Sequence, residues 1–95
     1  MKNVKYYYIF VFYDVNESRV NKVFKVCKKY LNHFQNSVFR GNITPGDTIK
    51  LKNEIKKIIN TEEDFVSFVE VLNEDSYKET SLGMSKRISG ENFIL

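Results

Sequence analysis

The chain has 95 residues, of which 42% are hydrophobic and 15% aromatic, and this suits one folded domain over residues 1–95 rather than a disordered protein. The net charge of +3 is uneven, because residues 1–57 carry 12 basic and 4 acidic side chains and residues 58–95 carry 3 basic and 8 acidic. The single cysteine, Cys27, excludes a disulfide framework, and we expect it in the core. The apolar run 6–13 is too short and too aromatic for a signal peptide or membrane span, so we expect a cytoplasmic protein.

The first third of the chain predicts a strand followed by a basic helix. KYYYIFVFYD (5–14) is aromatic, β-branched and almost continuously apolar, which is typical of a central strand covered on both faces. Ser18, with Asn16 and Glu17, is expected to cap the helix that follows. The apolar residues of this helix fall on one face: Val20, Val23, Phe24, Cys27 and Leu31. Its basic residues lie off that face: Arg19, Lys22, Lys25, Lys28 and Lys29.

The remaining elements are predicted from periodicity and turn residues. Residues 33–43 read as extended, either one bent strand or two short paired strands with a break at Asn36 and Ser37. Thr44 as N-cap and Pro45 at the first position open a second helix. Residues 62–72 alternate as a strand, a short strand is expected near 78–84, and the tail ENFIL is extended.

This order of elements predicts the α+β class. A β-α-β(β)-α-β sequence with a tail is a ferredoxin-like βαββαβ sandwich with an extra C-terminal strand. The core is expected over residues 5–72, and residues 73–95 are expected to serve dimerisation. In particular, NFIL (92–95) is expected to add a strand to the partner's sheet.

Asp14 is the residue on which the function depends. His33, the only histidine, has no nucleophile or acid set around it and is interpreted as structural. Asp14 ends the first strand, where it is either a turn residue or a metal ligand, and the spacing favours the turn. One carboxylate is a poor magnesium site, whereas a twofold dimer would present two copies of Asp14 to one ion.

Several segments together resemble the CRISPR-associated Cas2 family. The resemblance is carried by YIFVFYDVNESRV, in which Tyr13-Asp14 precedes a polar turn and Arg19, and by QNSVFRG at residues 35–41. LKNEIKKII and EDFVSFVEVL also fit, so the similarity covers residues 6–72 well and the tail loosely.

The resemblance implies a ferredoxin-like homodimer in which Asp14 of each protomer is catalytic and shares a divalent ion, Mg²⁺ or Mn²⁺. It implies an endonuclease of RNA or DNA, which acts with the Cas1 integrase on spacer-precursor DNA, with no membrane partner. The ion would polarise a phosphate oxygen and activate water. The alternative is a non-catalytic DNA-binding scaffold with a vestigial Asp14, and a less favoured one is an RNA-binding module outside CRISPR. The residues expected to contact nucleic acid are Tyr13, Arg19, Lys22, Lys28, Lys29, Ser37, Phe39 and Arg40.

Overall fold

A five-stranded sheet and two helices account for residues 7–73 and 75–83, which are the residues that the computed structural model describes. In chain order the elements are β1 (Tyr7–Asp14), α1 (Glu17–Tyr30), β2 (Asn32–Gln35), β3 (Val38–Ile43), α2 (Pro45–Ile58), β4 (Phe65–Asn73) and β5 (Ser76–Gly83). The predicted α+β class and ferredoxin-like order are therefore confirmed.

The sheet has the order β2-β3-β1-β4-β5, and every neighbouring pair is antiparallel. β1 lies in the middle between β3 and β4, which explains its apolar sequence. Because the C-terminal end of β1 meets the start of β4, Asp14 lies opposite Phe65. Among the described residues, the edge strands of this sheet are β2 and β5.

The two faces of β1 differ in burial. Ile9, Val11 and Tyr13 are buried in one cluster with apolar residues of both helices. Tyr8, Phe10 and Phe12 alternate with them on the other face and are only half-buried. The sequence predicted that both faces of β1 are covered, whereas in a single chain the helices cover only one face of the strand.

The helix starts follow local capping chemistry. α1 begins at Glu17 with Asn16 as its N-cap, because the Asn16 side chain accepts a hydrogen bond from the Ser18 N–H at 2.8 Å. The expectation that Ser18 caps this helix is wrong, since Ser18 lies within the first turn. In α2 the predicted cap is confirmed: Thr44 Oγ1 accepts from the Asp47 N–H at 3.1 Å, and Pro45 is the first helical residue.

The segment 33–43 forms two strands rather than one. Asn36 has a φ of 35°, and this left-handed residue turns β2 back onto β3. The strand predicted over 62–72 begins only at Phe65, because residues 61–63 form a turn. The strand expected near 78–84 is β5, which starts earlier and pairs with β4 of the same chain. The tail NFIL (92–95) lies outside the described residues.

Cys27 lies in the core, as predicted. It is fully buried between the helix layer and the sheet, and burial raises the pKa of its thiol to about 12. No helix among residues 7–73 and 75–83 is long and apolar enough to cross a membrane.

Candidate active site at the end of the first strand

Asp14 is an exposed carboxylate at the C-terminal end of the central strand. The main chain beside it is held on two sides. The Tyr13 N–H donates to the Ser37 carbonyl at 3.1 Å, and Asp14 itself lies in register with Phe65 on β4. The strand end is thus anchored to β4 and to the turn before β3, while the carboxylate is on the surface.

A second carboxylate, Asp64, lies wholly buried next to this strand end. Its Oδ1 accepts from the Asn16 N–H at 2.8 Å, and its Oδ2 accepts from the Asn60 N–H at 2.8 Å. Arg19 adds two further hydrogen bonds, Nε to Oδ2 at 2.6 Å and Nη2 to Oδ1 at 3.2 Å. Burial opposes ionisation of Asp64, but the bonds from Arg19, Asn16 and Asn60 outweigh it and lower the pKa to about 2.

Arg19 is therefore engaged with protein carboxylates. Besides its two bonds to Asp64, its Nη2 donates to Glu63 Oε1 at 2.7 Å. These hydrogen bonds raise the pKa of the guanidinium, and the side chain is only 23% exposed. Since two carboxylates already match its charge, the geometry argues against Arg19 as a free phosphate contact and gives it a structural role at the strand end.

Three of the predicted nucleic-acid contacts lie partly or wholly inside the protein beneath the strand end: Tyr13, Ser37 and Phe39. Tyr13 is 6% exposed and Phe39 is 0% exposed, and their rings stack with centroids 6.2 Å apart. Burial and the neighbouring Cys27 raise the pKa of the Tyr13 hydroxyl to about 12. Ser37 is half-buried and its carbonyl holds the Tyr13 N–H. This burial argues against direct contacts between the two rings and nucleic acid.

Lys28 and Lys29, in the last turn of α1, form a surface that is separate from Asp14. Lys22 and Lys28 are exposed on α1, and the Lys28 Nζ lies 5.9 Å from the centroid of the Phe24 ring. Lys29 is 56% exposed and its Nζ pairs with Glu54 at 2.5 Å. At about 1.5 Å per residue, the last turn of α1 lies roughly 18 Å along the axis from its start beside the Asp14 loop. Lys28 and Lys29 therefore belong to a helix surface and not to a pocket around Asp14.

Arg40 lies in a different place again. It stands opposite Phe10 on the half-buried face of the sheet, with its guanidinium carbon 3.9 Å from the centroid of the Phe34 ring. The residues expected to contact nucleic acid are thus distributed over the core, the helix layer and the half-buried face of the sheet.

The donor set at the strand end fits a divalent ion only in part. Carboxylate oxygen is the ligand type that Mg²⁺ and Mn²⁺ prefer. Across the described ranges 7–73 and 75–83, however, no three histidine, cysteine or acidic side chains are grouped to hold a metal. Arg19 already binds the carboxylates of Glu63 and Asp64. A divalent site built on Asp14 would therefore draw on neither Glu63 nor Asp64.

Sequence reasoning missed Asp64. It stands in the short acidic run Glu62-Glu63-Asp64, which is typical of a solvated turn. The only available signal was its position directly before a continuous apolar strand. Its partner Arg19 is 45 residues away, and neither residue type reveals such a pairing.

The fold is an antiparallel ferredoxin-like sandwich, with an acidic residue at the end of the central strand and lysines on the first helix. These features define a class of small α+β proteins. Residues 7–80 match the sequence profile of a family described as CRISPR associated protein Cas2. The chain belongs to the CRISPR-associated Cas2 family.

Individual relatives agree over most of their length. The chain is 48% identical over 83 residues to the "CRISPR-associated endoribonuclease Cas2 3" of Thermodesulfovibrio yellowstonii, covering 87% of this chain and 94% of that protein. It is 39% identical over 87 residues to the "CRISPR-associated endoribonuclease Cas2 2" of Archaeoglobus fulgidus, covering 92% and 95%. A solved structure titled "Crystal structure of cas2" superposes with a TM-score of 0.70 at 33% identity, covering 90% of this chain and 95% of that one.

Proposed function

We propose that the protein is a metal-dependent endonuclease of CRISPR immunity, which cleaves RNA as a homodimer with Asp14 at its centre. The observation that carries the proposal is Asp14 itself, an exposed carboxylate on an anchored strand end. Support for RNA as the substrate comes from the relatives, which are named endoribonucleases.

The half-buried face of the sheet supports a dimer. Phe10 packs against Tyr8 with centroids 5.4 Å apart and against Phe12 with centroids 6.2 Å apart, which makes an aromatic stripe along the central strand. Side chains of this kind are enriched in protein interfaces. Asp14 continues the same alternation at the end of the stripe, so a twofold axis across this face would bring two copies of Asp14 towards each other.

Two Asp14 carboxylates would hold one Mg²⁺ or Mn²⁺ ion, and water would complete its shell. When bound, the ion supplies Lewis acidity towards a phosphate oxygen and lowers the pKa of water. Asp14 contributes negative charge and a fixed position. Lys22, exposed near the start of α1, supplies a positive charge that holds the phosphate backbone.

The test is Asp14→Asn in the full chain, with Asp75→Asn in the exposed β4–β5 turn as the matched control. Cleavage of single-stranded RNA is measured with and without Mg²⁺, and the oligomeric state is measured by light scattering. We expect Asp14→Asn to lose metal-dependent cleavage and remain a folded dimer, because an amide lacks the charge that holds the ion. We expect Asp75→Asn to behave as the wild type. Full Mg²⁺-dependent cleavage by Asp14→Asn, in a preparation shown free of contaminating nuclease, refutes the proposal.

A second candidate function is a DNA-binding scaffold that works with the Cas1 integrase during spacer acquisition. It is favoured by Lys25 and Lys28, which are exposed on α1 beyond the helix start beside Asp14, on a surface suited to a phosphate backbone. Under this proposal Asp14→Asn supports integration with Cas1 as well as the wild type does. Under the same proposal, Lys25→Gln combined with Lys28→Gln lowers integration and leaves cleavage of RNA less affected.

A further inference from the structure

Asp64 contacts the backbone on two sides of the Asp14 strand end. Its Oδ1 accepts from the N–H of Asn16, two residues after Asp14. The residue that follows it, Phe65, lies opposite Asp14 in the β1–β4 register. A displacement of Asp64 therefore reaches Asp14 along the chain through Asn16 and across the sheet through Phe65.

The surroundings of Asp64 leave it little freedom to move. Its carboxylate also accepts from the N–H of Asn60 in the loop after α2 and from Arg19 in the first turn of α1. At the end of β5, a Cβ added to Gly83 would lie 2.0 Å from the Asp64 carbonyl oxygen, so the backbones are in direct contact there. The buried carboxylate thus joins the β1–α1 loop, the start of α1 and the α2–β4 loop, while the main chain of Asp64 lies against the end of β5.

We propose that Asp64, together with Arg19, is a positioning residue that fixes the Asp14 carboxylate for metal binding across the dimer. The inference rests on the proposed function, because it assumes that Asp14 is the ligand. A shared ion requires two strand ends at a set separation, and Mg²⁺ accepts only near-octahedral ligands at about 2.1 Å. Twofold symmetry repeats any tilt of one strand end in the other, so a small displacement changes the positions of both Asp14 carboxylates around the ion.

The test measures Mn²⁺ affinity of the full-length dimer from the electron paramagnetic resonance signal of free Mn²⁺. The variants are Asp64→Asn and Arg19→Gln. The matched control is Glu70→Gln, because Glu70 is 6% exposed on β4 and pairs with Lys52 at 2.7 Å, away from the strand end. All proteins are compared at one temperature below their unfolding transitions.

We expect Asp64→Asn to weaken Mn²⁺ binding by about 10- to 100-fold, the range for outer partners of metal ligands. Arg19→Gln is expected to weaken it less, because the two backbone donors to Asp64 remain. Arg19→Lys keeps the charge and should recover part of the loss. Glu70→Gln should lower the melting temperature and leave Mn²⁺ affinity within about twofold of wild type, since Glu70 lies opposite Ile9 in the β1–β4 register, well away from Asp14.

Wild-type Mn²⁺ affinity in folded Asp64→Asn and Arg19→Gln dimers overturns the inference. If Asp64→Asn does not fold, the two Arg19 variants decide, and equal affinity in Arg19→Gln, Arg19→Lys and wild type overturns it as well. Failure of the proposed function has another signature: wild-type protein that binds no Mn²⁺, or Asp14→Asn that binds it unchanged. That result removes the Asp14 site and the positioning role with it, whereas loss of the positioning role alone leaves the effect of Asp14→Asn intact.

Discussion

Arg19 in the first turn of α1 and Asp64 immediately before β4 form a two-point ion pair across 45 residues of sequence, with Nε to Oδ2 at 2.6 Å and Nη2 to Oδ1 at 3.2 Å. The Asp64 carboxylate is fully buried, and both of its oxygens also accept backbone N–H groups. The loop after Asp14 and the loop before β4 are therefore held to each other by charge as well as by the sheet.

The ion pair predicts a pH dependence of stability. The pKa of Asp64 is lowered from 3.8 to about 2 in the folded protein. A lowered pKa means that the stabilisation, about 2 kcal/mol, is present above pH 4 to 5 and is lost as pH falls towards 2. We expect the difference in melting temperature between wild type and Asp64→Asn to shrink over that range. Thermal unfolding followed by circular dichroism between pH 2 and 7 measures it, and a difference that is constant with pH contradicts the assignment.

Gly83 is predicted to tolerate no side chain. Its φ is +89°, and an added Cβ would lie 2.0 Å from the carbonyl oxygen of Asp64. Gly83→Ala should lower the free energy of unfolding by at least about 2 kcal/mol, through backbone strain and displacement of β5.

The matched control is Gly46→Ala in α2, where an added Cβ meets nothing within 4 Å. This change should raise the free energy of unfolding by about 0.5 kcal/mol, because alanine has less backbone freedom in the unfolded chain. Urea denaturation of both variants measures the two effects. Equal stabilities for the two variants would show that the contact between Gly83 and Asp64 is unimportant.

Binding of duplex DNA is predicted to depend steeply on salt through the exposed lysines of α1. Each phosphate neutralised contributes about −0.9 to the slope of log K against log salt concentration. Lys28→Gln should make the slope shallower by about that amount, and charge reversal of Lys28 should reduce affinity further. Lys29 is a less clean probe, because it pairs with Glu54 and its loss also affects the packing of α1 on α2.

Lys78→Gln, at an exposed position of β5 on the far edge of the sheet, is the control and should leave the slope unchanged. Fluorescence anisotropy with labelled DNA at several salt concentrations measures both variants. A flat salt response of the wild type, or equal slopes for Lys28→Gln and Lys78→Gln, counts against a lysine surface on α1.

The C-terminal segment is predicted to take part in dimerisation. NFIL (92–95) is apolar, and the described sheet has two edges, β2 and β5, to which a strand from another copy can add. Deletion of residues 90–95 should weaken the dimer, which light scattering at several protein concentrations measures. A truncated protein that remains an equally stable dimer contradicts this prediction.

Local sequence patterns were sufficient for the framework. The apolar periodicity of Val23 and Cys27 predicted the buried face of α1, and Thr44-Pro45 predicted the start of α2, because capping depends on neighbouring residues only. The ambiguity over residues 33–43 had a local cause. A reversal at Asn36 needs a single residue in the left-handed conformation. Asparagine can adopt this conformation but also adopts others, so the residue type alone does not predict the turn.

The sequence by itself determined the ferredoxin-like order, the core of the sheet and the position of Asp14 at a strand end, since each follows from residues close together in the chain. Only the tertiary structure decided the environment of that strand end. It buried Tyr13 and Phe39, paired Arg19 with Asp64 and Glu63, and separated Lys28 and Lys29 from Asp14. The physical reason is that burial and ion pairing depend on which distant segments meet. An arginine on an open surface can contact phosphate, whereas an arginine beside a buried carboxylate serves as a structural cation.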